Sequence, residues 1–356
     1  MGPANKTVWE KSLGPAFVKK HGREPINADE VRAVMTKDHR YQIWSAMQRN
    51  SQERMWDSVI DAVERQLPDL IEKAKTTKSN VDGTLTLDPD LKIPDYMTDH
   101  DIHLQPGNYQ ADLTEDDVAA GAIYDRGIYI YSMGYMGGRL ETLGQSNVEM
   151  FKKLFPGLKP TRILDMGCTI GNGTLPWAEA FPDAEIHAID IGPALLRYGH
   201  ARAEGLGMKI NFSQQNAEYT NFEEDSFDVV TSHIMMHETY FDAVPNIFGE
   251  SRRLLKPGGV MLHLDLPRFV DMKPVKAFLA SWEAYNNGED FAGDYRKMDI
   301  IDEAVKGGWQ EDEVWIEQCD VIDEIASGYL VSNYVEPFLQ WPTMAGVKGG
   351  RPEPTR

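Results

Sequence analysis

From residue 27 to about residue 76, apolar side chains return every three or four positions. Trp44, Met47, Met55, Trp56, Val59, Ile60, Val63 and Leu67 fall on one face, with Arg49, Arg54, Asp57 and Glu64 on the other. That period predicts one or two amphipathic helices with a packing face, turned towards the main domain or a second subunit. Asn27 followed by Glu30 resembles a capping box at the start. After Gly144 the pattern changes. Short apolar runs at Arg162–Met166, Glu185–Asp190 and residues 209–213, 227–232 and 259–264 alternate with helical stretches such as 174–181 and 194–204. Strand–helix alternation of this kind predicts the α/β class, a parallel sheet with helices on both faces.

Between these regions the chain is less regular. Residues 75–108 are rich in Thr, Asp, Pro and Gly, with Pro89, Pro94 and Pro106 as punctuation, and read as an irregular connection. Residues 121–139 then crowd Tyr124, Tyr129, Tyr131 and Tyr135 among glycines, together with Arg126 and Arg139. Glycines this dense predict a ligand-facing loop with close backbone approach. The tyrosines would offer π faces to a cation, and the two arginines would clamp a carboxylate. The expected division is an N-terminal helical arm and lid over residues 1–144, and a catalytic domain over 145–356.

Charge narrows the partners. Against 36 basic residues stand 56 acidic ones, a net −20, which repels phosphate backbones and anionic lipid. No nucleic-acid or membrane partner is expected. Two cysteines fit a reducing compartment, and no apolar run approaches the roughly 18 residues of a membrane span. The first twenty residues show no apolar signal-peptide core. A soluble cytoplasmic protein is expected, with a possible homodimer through the N-terminal helices.

The stretch Ile163-Leu-Asp-Met-Gly-Cys-Thr-Ile-Gly-Asn-Gly173 runs from a buried strand through a glycine turn into a helix. Such turns are common to nucleotide binders. Asp165, before the first glycine, would repel a pyrophosphate but suits a cationic or zwitterionic ligand. Asp190, at the end of the next strand, is placed to accept hydrogen bonds from a ribose diol. Together they point to a nucleoside that carries positive charge in place of phosphates.

Here the chain resembles the class I S-adenosylmethionine-dependent methyltransferases. Their glycine motif is similar to Leu164-Asp-Met-Gly-Cys-Thr-Ile-Gly-Asn-Gly173, and the acidic end of their second strand to His187-Ala-Ile-Asp190. Gln215-Asn-Ala-Glu218 resembles their adenine-contacting turn, and Ser226-Phe-Asp-Val-Val-Thr-Ser232 their fourth strand. Arg253-Leu-Leu-Lys-Pro-Gly-Gly259 resembles the approach to their fifth. The resemblance spans roughly residues 145–335. Thr169 stands where the middle glycine is usual, and Asn216 where an acid is often found. The resemblance implies a Rossmann-like sheet and S-adenosyl-L-methionine as cofactor. Asp165 and Gly167, with Cys168, Thr169 and Gly171, would line the methionine part. Asp190 and Ile191 would hold the ribose, and Asn216 and Ala217 would meet the adenine. Ser232 and His233 would sit beside the transferable methyl. The N-terminal extension and tyrosine-rich segment also look like those of bacterial methylthiohydroxybutyrate S-methyltransferases.

The acceptor is less constrained. His233 and His237, four residues apart with Glu238 beside them, lack a third ligand with clear spacing, so no metal is expected. Either histidine suits a general base, and Tyr131 joins them as a candidate catalytic side chain. Trp282 and Tyr285, after the fifth strand, are candidate pocket walls. A nicotinamide dehydrogenase would lack the acid before the first glycine. A nucleic-acid base methyltransferase would commonly show Asn/Asp-Pro-Pro-aromatic where Thr231-Ser-His-Ile-Met235 stands. The expectation is a methyltransferase for a small molecule, with a carboxylate-bearing thioether as the first reading of the acceptor. An O-methyltransferase with a histidine base and a non-catalytic cofactor-binding protein are the alternatives.

Overall fold

A computed structural model describes residues 3–77, 81–134, 136–321 and 340–350. The N-terminal helices are α1 (Pro3–Val8), α2 (Gly14–His21), α3 (Ala28–Met35), α4 (His39–Glu64) and α5 (Leu67–Thr76). Then come β1 (Thr84–Thr86), α6 (Ala119–Tyr131), α7 (Thr142–Leu154), β2 (Arg162–Met166), α8 (Leu175–Ala180), β3 (Glu185–Asp190), α9 (Pro193–Gly205) and β4 (Asn211–Gln214). The remainder is β5 (Phe227–His233), α10 (Ala243–Leu254), β6 (Leu255–Leu264), α11 (Pro274–Asn287), α12 (Ala292–Tyr295), α13 (Ile300–Lys306), β7 (Val314–Asp320) and β8 (Gln340–Val347).

The helical pattern expected from residue 27 to 76 resolves into three helices, and the breaks have local causes. Asn27 accepts from the Glu30 N–H at 3.0 Å to start α3, and Asp38 accepts from the Arg40 N–H at 2.9 Å to start α4. Each satisfies a donor that a helix start leaves unpaired. Glu30 does not complete the capping box, because its carboxylate turns to Arg23 and the Ile26 N–H. Pro68 stops α4, since a proline ring clashes with the carbonyl four residues back, here that of Glu64. The apolar face packs on its own chain. Val31 and Met35 join Phe278 and Trp282, while Trp56, Val59 and Val63 join Ile123 and Tyr124.

Eight strands form one sheet in the order β1-β4-β3-β2-β5-β6-β8-β7. From β1 to β6 the neighbours run parallel, and β8 is antiparallel to both β6 and β7. Central strands buried on both faces read as continuous apolar runs, which is why β2 and β5 were legible. The order reverses direction at β2, flanked by β3 and β5, and a crevice opens at such a switch point beyond the strand ends. Asp165, Asp190 and His233 all lie at those ends. Helices cover both faces. Phe151, Trp177 and Leu196 pack against Ile163 and Val229 on one side, while Phe248 and Trp309 pack against Leu164 and Val230 on the other.

Two expectations change. The division at residues 144 and 145 falls inside α7, and β1 from the connection extends the sheet. The glycine-rich segment, expected to be a loop, supplies most of α6. Its glycines do bring backbone close to a neighbour, but the neighbours are helices. An added Cβ at Gly121 would meet the Tyr198 Cβ of α9 at 2.3 Å, and one at Gly127 would lie 2.0 Å from the Trp56 ring of α4. Gly127→Ala is therefore expected to destabilise the fold by about 1–3 kcal/mol through overpacking, despite alanine's better helix propensity. Urea unfolding with an unchanged midpoint would contradict this packing. Among the described residues, no helix is long and apolar enough to cross a membrane.

Candidate active site

A cavity of about 410 Å³ opens at the switch point and continues under α6 and α11. Its first half is built by the turn after β2. Gly167 (φ +66°) takes the left-handed backbone that glycine tolerates, and Thr169 adopts φ +49° where the sequence departs from glycine. The Thr169 hydroxyl donates to Asn172 Oδ1 at 2.8 Å and also shares a hydrogen bond with Tyr124. Asp190 ties the turn down, accepting from the Thr169 N–H at 2.8 Å and the Gly192 N–H at 3.0 Å. Burial raises the Asp190 carboxyl above its ordinary range, against the pull of these backbone donors.

Asp165 is 1% exposed. Its Oδ2 accepts from the Thr174 hydroxyl at 2.6 Å, while Oδ1 has no hydrogen bond and lies 3.5 Å from His233 Nδ1. A buried carboxylate oxygen lacking a donor is costly unless a ligand completes it. Asp165, Gly167, Cys168, Thr169, Asp190, Ile191, Asn216 and Ala217 all line this half. Gly171 does not; at φ +74° it packs on the Phe212 ring, so turn geometry accounts for it. Ser232 also lies outside, because its hydroxyl meets His263 Nδ1 at 2.7 Å inside the sheet layer.

The second half carries a buried relay of which the sequence pattern marks only His237 and Glu238. His237 Nδ1 meets Asp265 Oδ1 at 2.6 Å, and its Nε2 lies 3.2 Å from Glu238 Oε1. The same Glu238 oxygen is 3.1 Å from His103 Nε2, and His103 Nδ1 is 3.3 Å from Glu289. Burial opposes charge on His237, but the Asp265 and Glu238 carboxylates outweigh it and hold the imidazole well above its usual value. Burial likewise opposes charge on Glu238, and His237 with His103 holds it below the carboxylate range. His103 itself stands at φ 57°, and its carbonyl accepts from Gln52 Nε2 at 2.8 Å and Trp56 Nε1 at 2.7 Å of α4. The residues 75–108, expected to be a passive connection, thus deliver Tyr96, Met97 and His103 to the cavity.

Of the remaining candidates, Tyr124, Tyr131, His233 and His237 line the cavity. Burial raises the Tyr124 phenol to about 12 and drives Tyr131 well above its ordinary value, so both stay protonated. His233 is held on both sides, with Asn147 Nδ2 3.3 Å from its Nε2 and Asp165 beside its Nδ1. The arginine clamp is not assembled. Helical rotation places Tyr124, Ile128 and Tyr131 inward and turns Arg126 and Tyr129 to the surface, where the guanidinium stacks 5.9 Å from the phenol centroid. Arg139 is paired with Glu179 at 2.8 Å, away from the cavity. Trp282 is buried against the arm and Tyr285 is exposed, so neither forms a wall. Tyr135 lies outside the described residues. Among those residues no three His, Cys, Asp or Glu side chains are grouped to hold a metal.

A six-strand parallel core with an antiparallel β8 inserted before β7, and a glycine turn flanked by two acids at the switch point, is the Rossmann-like arrangement that the resemblance to class I S-adenosylmethionine-dependent methyltransferases implies. Residues 163–259 match the family described as "Methyltransferase domain". Over 108 residues it is 32% identical to a demethylmenaquinone methyltransferase of Thermus thermophilus, covering 30% of this chain and 48% of that one. Over 140 residues it is 31% identical to phosphoethanolamine N-methyltransferase 1 of Arabidopsis thaliana, covering 39% and 27%. The chain thus spans less than half of these curated relatives. Among solved structures, phosphoethanolamine N-methyltransferase 2 of Haemonchus contortus in complex with S-adenosyl-L-methionine aligns at 21% identity and a TM-score of 0.47, covering 63% of this chain and 57% of that chain. The residues present fit the cofactor of this class. Asp165 Oδ1 offers a buried acceptor for an ammonium group, and Asp190, at the end of β3, would accept from a ribose diol.

Proposed function

We propose that this protein transfers a methyl group from S-adenosylmethionine to a small-molecule acceptor, and that the acceptor is a carboxylate-bearing thioether methylated on sulfur. The cofactor, when bound, supplies an electrophilic methyl on a sulfonium. Asp165, Gly167 and Asp190 would hold it, and Asn216 with Ala217 would flank its base. The buried Tyr96, Tyr109 and Tyr124 and the partly buried Tyr131 exclude water and present π faces to a sulfonium product. Alignment and desolvation can provide roughly 7–11 kcal/mol of such a displacement without a base.

One observation carries the choice of acceptor: both nitrogens of His237 face carboxylates, and His233 is engaged at Nε2 by Asn147 with its Nδ1 turned to the cofactor-side Asp165. His237 is thereby held as an imidazolium. An acceptor that must lose a proton early is poorly served here, whereas a thioether has none to lose. This weighs against the O-methyltransferase reading. The expected homodimer keeps Ile43 and Met47, exposed on α4, as apolar surface for a second copy.

The test is S-adenosylhomocysteine formation across a panel of thioethers, amines, phenols and hydroxy acids. Thioether turnover should exceed the others, and His233→Ala should retain activity within about tenfold, since removing a general base typically costs about 10²–10⁴-fold. Turnover confined to phenols or hydroxyls, with a rate that rises through a pKa near neutrality and vanishes in His233→Ala, would replace this reading with base catalysis.

A further inference from the structure

Loss of the Arg126 and Arg139 clamp leaves the acceptor half without its expected anchor, and another guanidinium stands in that wall. Arg296, just after α12, is 5% exposed and is the single Arg or Lys among the described residues lining the cavity. Its Nη1 donates to the Pro267 carbonyl at 2.7 Å, and its own carbonyl accepts from the Phe269 N–H, which fixes the residue from two sides. The Phe269 ring lies 6.0 Å from the guanidinium carbon. The opposite edge of the fork is unmatched. Nε is sealed from solvent with no acceptor, and Nη2 donates to no described group. Glu283 and Glu289 act on it through space, yet no ion pair joins it to a described carboxylate.

Buried charges in folded proteins are paired or they are costly. A guanidinium held at one corner, with Nη2 unpaired beside a ligand cavity, still has a donor to offer. We infer that Arg296 binds the carboxylate of the acceptor, through its unpaired Nη2. This rests on the reading that the cavity takes a methyl acceptor, and it names the group by which that acceptor is recognised. A charge-assisted N–H donor on a planar guanidinium suits a carboxylate oxygen. A phosphomonoester would bring a second negative charge among Glu238, Glu283 and Glu289, with no second Arg or Lys in the described lining to meet it. The carboxylate end lies at Arg296, and the reacting atom must reach back towards Asp165 and Gly167.

The experiment compares wild type with Arg296→Gln and Arg296→Lys, all saturated with S-adenosylhomocysteine. Three probes are titrated by calorimetry: 4-(methylthio)butanoate, its neutral primary amide, and phosphoethanolamine. Wild type should bind the acid at least about tenfold more tightly than the amide. Arg296→Gln should lose about 10–100-fold for the acid and little for the amide, the range expected of a charge-assisted pair. Arg296→Lys should keep part of the preference, and affinity for S-adenosylhomocysteine should stay within about twofold in both. An acid preference that survives Arg296→Gln, equal binding of acid and amide by wild type, no acid binding, or tighter binding of phosphoethanolamine would each overturn the assignment. If Arg296→Gln does not fold, the wild-type ratio and the Arg296→Lys variant decide. Methyl transfer separates the two readings. Acid bound through Arg296 but never S-methylated removes the thioether reading and keeps Arg296, whereas acid and amide methylated alike keep the thioether reading and remove Arg296.

Discussion

Asp190→Ala should weaken S-adenosylmethionine binding by about 100–1,000-fold in a calorimetric titration of the folded variant. Hydrogen bonds to a charged group contribute about 1.5–3 kcal/mol each, and this carboxylate has two kinds of work. It accepts the Thr169 and Gly192 N–H groups, which fixes the glycine turn, and in the proposed function it also accepts from the ribose. Alanine removes the ribose acceptor and orphans two backbone donors together. Asp190→Asn keeps one oxygen but turns a donor towards one of those N–H groups, so an intermediate loss is expected. If Asp190→Ala binds within threefold of wild type, the residue shapes the turn and does not touch the ligand.

The second large effect concerns stability. Asp265→Ala should lower the unfolding free energy by about 3–5 kcal/mol, because it leaves His237 buried with half of its compensation. Asp265 also accepts the Met236 and Leu266 N–H groups, so the loop that presents His237 loosens as well. The pH dependence has a defined sign. His237 has a raised folded value, so its contribution is complete below the unfolded imidazole value near 6.5 and is lost as pH rises towards the folded one. Glu238 has a depressed folded value, so its contribution is complete above the unfolded carboxyl value near 4.3 and is lost as pH falls below it. Wild type should therefore be most stable between roughly pH 5 and 6.5 and should soften in the alkaline range. In the Asp265→Ala variant the alkaline slope should flatten. Denaturant titrations at several pH values check both statements, and a parallel slope in the two proteins would remove the pairing as its cause.

The cofactor half was legible because its chemistry is local. Asp165, Gly167, Thr169 and Asp190 lie on consecutive strand ends, and apolar runs announce those strands. The acceptor half was not, because its residues meet only through the tertiary fold. His103 sits in a segment with no period, Glu289 and Arg296 follow α11 without any motif, and nothing in their neighbours signals a partner. The tyrosine-rich segment misled for a different reason. Glycine density marks close approach but does not say whether a ligand or a helix approaches, and at Gly121 and Gly127 it is a helix. Once α6 is helical, its geometry alone separates the inward Tyr124 and Tyr131 from the outward Arg126 and Tyr129.

The clamp on the His103 carbonyl also bears on the order in which the molecule is assembled. A non-glycine residue at φ 57° carries a conformational cost, and here it is met by Gln52 and Trp56, which leave the ribosome before it. Glu238 and Glu289, the partners of its imidazole, emerge much later. The cofactor crevice can form from a contiguous run of chain, whereas the acceptor wall waits for the last helices to dock on the first. Sequence drift in the arm would then alter which molecules are accepted while leaving the methyl donor unchanged, so the two halves of the cavity can evolve at different rates.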